Sequence, residues 1–142
     1  MRFMIIVKST PEFEAETTPQ TPDEKLFKAM ADYHEELSKA GVLLDASGLQ
    51  PSRKGWRIHY GAGDKRTVVD GPFAEAKELI AGFTTIQVRS REEAMEWSRR
   101  FPNPVGEGRP AVIEVRQLFE LEDFEPGPQV ERFREMNTPS QK

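Results

Sequence analysis

No cysteine occurs in the 142 residues, which removes a disulfide framework, a zinc–thiolate centre and a thiol nucleophile together. Histidine is scarce too. His34 and His59 are the only two, with no His-x-His or His-x-x-x-His spacing, so a metal site would need both to converge with a carboxylate from separate elements; no metal and no cofactor is expected. A basic surplus is also missing. The net charge is −4 and the pI about 5.3, without the stripe of Lys and Arg that a phosphate backbone requires, so nucleic acid is not an expected partner. Long hydrophobic runs are absent. The apolar start, Met1 to Val7, is one strand long, carries Arg2 and is followed by Lys8 without a small-residue cleavage site. Neither a signal peptide nor a membrane span is expected, and the expected location is cytoplasmic. Gly61-x-Gly63 lacks the third glycine and following helix of a dinucleotide loop, and there is no Gly-Lys-Ser/Thr and no Gly-x-Ser-x-Gly elbow.

What remains is one domain with a polar character. Hydrophobic residues make up 37% and charged residues 31% of the chain, which predicts a modest core with long polar excursions. The pattern divides at residue 121: a folded domain over 1–121 and a peripheral C-terminal extension over 122–142, with fraying at its end. Within the domain, Phe3, Ile5 and Val7 alternate with Met4, Ile6 and Lys8, apolar on both faces, which predicts a central strand. Ser9 to Gln20 carries Pro11, Pro19, Glu12, Glu14 and Glu16 and reads as an acidic loop, with a lid as one use for it. Thr21-Pro22-Asp23-Glu24 has the form of a capped helix start, and Leu26, Met30, Tyr33 and Leu37 share one face up to a stop at Gly41, giving a helix from Pro22 to about Ala40.

Val42 to Leu49 resumes an extended pattern. Trp56, Ile58 and Tyr60 then alternate with Arg57 and His59, and Gly61-Ala62-Gly63-Asp64 turns the chain into Arg66 to Val69 as a hairpin. Asp70-Gly71-Pro72 halts that strand, and Phe83 to Val88 is the next. Ser90-Arg91-Glu92-Glu93 repeats a capping box before Ala94, Trp97, Ser98 and Phe101, and Ala111 to Gln117 alternates as a last strand. Gln129 to Met136 forms a short amphipathic helix in the extension. Strand, helix, strand, then hairpin, strand, helix, strand is a split βαβ order: an α+β fold with an antiparallel sheet and both helices on one face. The other face then needs a cover, and a second copy across a two-fold is the expected one, so a homodimer is predicted.

Ala40-Gly41-Val42-Leu43-Leu44, Gly48-Leu49-Gln50-Pro51, Asp70-Gly71-Pro72-Phe73-Ala74-Glu75, Lys77-Glu78, Ala81-Gly82-Phe83, Glu93-Ala94 to Trp97 and Glu114-Val115-Arg116 together resemble the YCII-related family, in particular its DGPF-motif branch, over roughly residues 1–119. The resemblance implies a ferredoxin-like domain in a dimeric α/β-barrel assembly. It also implies a histidine on the first helix, matched here by His34, and an aspartate suspected of acting with it, but no generally established reaction. The family's aspartate before proline after the second helix is replaced by Phe101-Pro102, so a pair using that aspartate is absent here. Family gene neighbourhoods further imply a transcription-related partner.

The candidate catalytic residues are His34, whose near-neutral ordinary pKa suits acid/base work, and Asp70, either a base or an Asx-turn residue. Candidate substrate-binding residues are Lys77 and Glu78, which otherwise form a solvated turn, and Arg116, which otherwise serves a salt bridge. Two functions stay open: a small-molecule enzyme with acid/base residues in a pocket, or a non-catalytic binding or accessory module.

Overall fold

Alternation of Phe3, Ile5 and Val7 with Met4, Ile6 and Lys8 forms β1 (Arg2–Lys8), one of the two inner strands of a four-stranded antiparallel sheet in the computed structural model, which describes residues 1–16 and 23–137. The elements that follow are α1 (Pro11–Glu14), α2 (Glu24–Lys39), β2 (Leu43–Gly48), β3 (Trp56–Tyr60), β4 (Arg66–Asp70), β5 (Ile80–Gln87), α3 (Arg91–Arg99), β6 (Ile113–Gln117) and α4 (Pro128–Asn137). The sheet order is β2-β5-β1-β6, all neighbours antiparallel. Setting aside the separate β3–β4 hairpin, this is the ferredoxin-like split βαβ arrangement expected from the pattern.

Helix α2 is built by the stripe Leu26, Met30, Tyr33 and Leu37 and is closed at both ends by local chemistry. Asp23 accepts from the Lys25 amide at 3.1 Å, so the side-chain cap is Asp23; the expected cap Thr21 and Pro22 lie outside the described residues, as do 17–20 and 138–142. At the other end Gly41 turns left-handed at φ +75. Its amide bonds the Ser38 carbonyl and that of Val42 bonds the Leu37 carbonyl, both at 3.0 Å, a Schellman pairing whose apolar members Leu37 and Val42 both enter the core. In α3, Ser90 accepts from the Glu93 amide and Glu93 in return accepts from Arg89, each at 3.1 Å.

The core joins Phe3 and Ile5 of β1, Tyr33 and Leu37 of α2, Val42, Ile86, Val88 and Ala94 of α3, with Trp97, Phe101, Ile113 and Val115 packed against them. Both helices therefore lie on one face. Full burial of Leu37 contributes roughly 2 kcal/mol or more. Tyr33 ties the helices together by donating its hydroxyl to the Trp97 carbonyl at 2.6 Å. Burial pushes its pKa up to about 12 from 10.0. Between those pH values the unfolded chain has lost a proton that the folded chain keeps, so stability falls as pH rises, by up to about 1.4 kcal/mol per unit. Chemical denaturation across that window is expected to show the fall in the native chain and to lose this component in Tyr33→Phe.

The opposite face, the one expected to need a cover, is apolar at its centre only. Register places Met4, Ile6 and Phe83 at its centre, all half-buried, but Glu114 and Arg116 of β6 and Asp45 and Ser47 of β2 beside them. It is a short apolar strip bounded by charge. The stretch from Ser9, read as a loop, begins instead with α1: Thr10 accepts from the Phe13 amide and Pro11 occupies the first turn. Two strands begin at other positions than expected, β5 at Ile80 and β6 at Ile113.

Candidate functional site

Where β1 ends, the chain must leave the sheet, and three other segments reach the same corner. The register slips between Val7 and Lys8, and the Ser9 amide is drawn to the Leu79 carbonyl at 2.9 Å. From β2, Leu49 is held to the Ala81 carbonyl at 2.8 Å. The first turn of α2 supplies Asp23 and Leu26. Beyond α3, the Asn103 side chain accepts from the Val105 and Gly106 amides and donates to the Arg109 carbonyl. That turn, with left-handed Gly106 and Gly108, holds Pro104, Val105 and Arg109 toward the corner.

These segments enclose a partly open cavity of about 830 Å³, within the ordinary range for a small-molecule site. Its apolar wall includes Phe13, Leu26, Leu49 and Val105. Lys8 and Arg109 bring positive charge to it, and Glu12, Glu16 and Asp23 bring carboxylates. Ser9 is 6% exposed, and its hydroxyl has no hydrogen-bond partner among the described residues, an uncommon state for a buried polar group. Arg109 is exposed and pairs with no acid among the described residues. Glu16, also on the wall, is hydrogen-bonded to Arg53, and that guanidinium holds its carboxyl below the ordinary range.

The Asp70-Gly71-Pro72-Phe73 motif acts on this wall from behind. The Gly71 amide donates to the Gly55 carbonyl at 2.9 Å, and the Phe73 amide donates to the Ser52 hydroxyl at 3.0 Å. Ser52 in turn donates its hydroxyl and its amide to the Glu14 carboxylate of α1. Arg57 of β3 stacks over the Phe73 ring at 3.8 Å. A chain of contacts therefore runs from the motif through the 52–54 turn to the short helix that carries Glu12 and Phe13, and to Glu16 just beyond it.

The residues singled out in the sequence lie elsewhere: among the described residues, none of His34, Asp70, Lys77, Glu78 and Arg116 lines the cavity. His34 is half-buried between Met30 and β5. Its Nδ1 donates to the Met30 carbonyl at 2.7 Å, and its Nε2 meets the hydroxyl of buried Thr84 at 2.8 Å, so both ring nitrogens are engaged. Asp70 ends the separate hairpin, exposed, opposite Trp56. It makes no Asx-turn contact with Phe73, whose amide Ser52 has taken. Lys77 and Glu78 are exposed in a single 3₁₀ turn. Arg116 is exposed and pairs with Glu114 at 3.2 Å. Among the described residues no three His, Asp or Glu side chains are grouped as a metal site, and no helix is long and apolar enough to cross a membrane.

Lys8, Ser9, Phe13, Leu49 and Arg109 were not singled out from the sequence. Thr10-Pro11-Glu12 carried the same capping signal as Thr21-Pro22, and would have marked α1. The convergence itself has no local signature.

Comparison with known proteins places the chain in context. The family model described as the YCII-related domain matches residues 1–122. An uncharacterised protein of Rhizobium meliloti (strain 1021) is 32% identical over 81 residues, 57% of this chain; the chain spans 64% of that relative's length. Among solved structures, 5-chloro-2-hydroxyhydroquinone dehydrochlorinase from Burkholderia phenoliruptrix AC1100, in complex with 2,5-dihydroxybenzoquinone, aligns at a TM-score of 0.45 and 13% identity, over 88% of this chain and 100% of that one.

Proposed function

The chain belongs to the YCII-related family, and from that premise we propose that it binds a small, partly apolar organic anion in the cavity at the Lys8 end of the sheet. The observation that carries this reading is the meeting, in one cavity, of an apolar wall with the exposed guanidinium of Arg109, which pairs with no acid among the described residues. Apolar surface supplies the driving force, and a few placed polar groups orient the ligand. A carboxylate suits this set, because the planar guanidinium of Arg109 can receive it through two parallel hydrogen bonds.

An enzymatic role for the chain would draw on the ionisable groups of this same cavity, Lys8, Glu12 and Glu16, in acid/base steps. His34 with Asp70 is the less supported pair, since His34 is engaged on both nitrogens and Asp70 sits on the separate hairpin.

Benzoate and octanoate serve as probes, with titration calorimetry and thermal unfolding as readouts. Either anion at hundredfold excess over its Kd is expected to raise stability by about 2.7 kcal/mol. Arg109→Gln is expected to weaken binding about tenfold, the loss of roughly one charge-assisted contact, and Leu49→Glu to abolish it. Absence of binding by both anions, or binding indifferent to both substitutions, overturns the reading.

A further inference from the structure

Residues 103–109, between α3 and β6, line one side of the cavity and are built as a unit. The Asn103 side chain accepts from the Val105 and Gly106 amides and donates to the Arg109 carbonyl at 2.7 Å, while the Arg109 amide bonds the Gly106 carbonyl at 3.2 Å. These bonds close the segment on itself. Its bends use Gly106 at φ +129 and Gly108 at φ +81, backbone conformations that residues other than glycine rarely adopt.

Space lies on both sides of its inner end. Pro104 belongs to the wall of the large cavity and also to that of a second one of about 190 Å³, lined by Phe101, Pro102, Asn103, Ala111 and Ile113. A segment with unfilled volume on either side can shift without first displacing packed side chains. Its hold on the rest of the domain is slight. Among the described residues, the one polar tie from 103–109 to another element is the ion pair of Glu107 with Lys25 of α2, at 3.1 Å. Both side chains are 84% exposed, and a pair so open to water holds only weakly. Asp23 and Leu26, on either side of Lys25, line the cavity too. The pair therefore joins one cavity wall to another.

We infer that residues 103–109 are a strap over the cavity, latched by the Lys25–Glu107 ion pair, and that release of this latch admits and frees the ligand. The strap carries Arg109. The guanidinium that receives the carboxylate therefore moves with it, so a bound anion holds the strap down as the latch does. Ligand and latch favour the same closed state. Breaking the latch then speeds entry and exit alike and leaves affinity nearly unchanged, because the free chain is mostly closed as well. The ligand's part in this inference rests on the cavity reading above; the movement of the strap does not.

Stopped-flow binding of benzoate and thiol labelling of the full-length chain test this. Lys25→Glu and, separately, Glu107→Lys set like charges against each other at the latch. Each is expected to raise both the association and the dissociation rate of benzoate about fivefold, the equivalent of a strong exposed pair, with thermal unfolding of the core unchanged. The two variants alter net charge in opposite directions, so a shared acceleration is not electrostatic steering. Lys25→Glu combined with Glu107→Lys restores the native rates. The second readout needs no ligand and uses the lack of native cysteine. Leu26→Cys places a thiol on the cavity wall next to the latch, and its labelling by a maleimide is expected to quicken about fivefold with either single reversal and to slow again with both. Labelling indifferent to the reversals, or not restored by the pair of them, overturns the strap whether or not benzoate binds. Latch-dependent labelling with unchanged benzoate rates overturns its control of entry. Latch-dependent labelling without any benzoate binding supports the strap and removes the cavity reading instead.

Discussion

Gly71→Ala is expected to lower stability by about 3 kcal/mol, read as a fall of roughly 10 °C in the unfolding midpoint. The reason is distance rather than backbone conformation. A Cβ at position 71 would lie 1.9 Å from the Ser52 carbonyl oxygen, 2.6 Å from its carbon and 3.2 Å from the Arg53 Cα. All three are backbone atoms, so no side chain can swing away, and the 52–54 turn must shift bodily. That shift breaks the Gly71-to-Gly55 and Phe73-to-Ser52 hydrogen bonds, each contributing on the order of 1 kcal/mol. Limited proteolysis between residues 52 and 73 gives the local readout. Asp70→Asn is the contrasting case. Its exposed carboxylate has no partner among the described residues, so the expected change is within about 0.5 kcal/mol. A tolerant Gly71 or an intolerant Asp70 would reverse the assignment of the motif as a close-packed hinge between hairpin and turn.

Where physics is local, the chain could be read directly. The alternation in β1, the 3.6-residue stripe in α2, the Gly41 stop and the Ser90 cap each rest on a few neighbouring residues, and all are found. From these the strand order follows by topology. The candidate site was far less legible, because its groups come from β1, α1, α2, the end of β2 and the 103–109 loop. His34 illustrates the limit: one of its partners, Met30, is a helical turn away, but the other, Thr84, is fifty residues downstream. Asp70 illustrates a second. Its expected turn partner, the Phe73 amide, is claimed by Ser52 from 21 residues upstream, and a competition of that kind leaves no trace in local spacing. The hairpin illustrates a third, since Trp56, Ile58 and Tyr60 have the alternation of a buried face but stand exposed because β3–β4 is a sheet of its own.

Glu14→Ala is expected to reduce the exchange protection of the α1 amides about a hundredfold while leaving the amides of β1 and β5 unchanged. A helix of four residues has no independent stability, since nucleation fixes several residues for one hydrogen bond. Helix α1 does form the bonds from Glu14 to Thr10 and Ala15 to Pro11, so something outside it must hold it. Glu14, which receives the amide and hydroxyl of Ser52, and Glu16, which receives Arg53, are the tethers. Charge-assisted bonds of this kind contribute about 1.5–3 kcal/mol, and a hundredfold loss of protection corresponds to roughly 2.7 kcal/mol. Glu14→Gln retains an acceptor and is expected to fall between. Because Phe13, Glu12 and Glu16 form one wall of the cavity, the same substitution should weaken benzoate binding, while Arg109→Gln should weaken it with α1 protection intact. Unchanged protection in Glu14→Ala would mean that α1 is held by the Glu16–Arg53 pair and its apolar contacts, and would remove the link through Ser52 from the Gly71–Phe73 turn to the cavity wall.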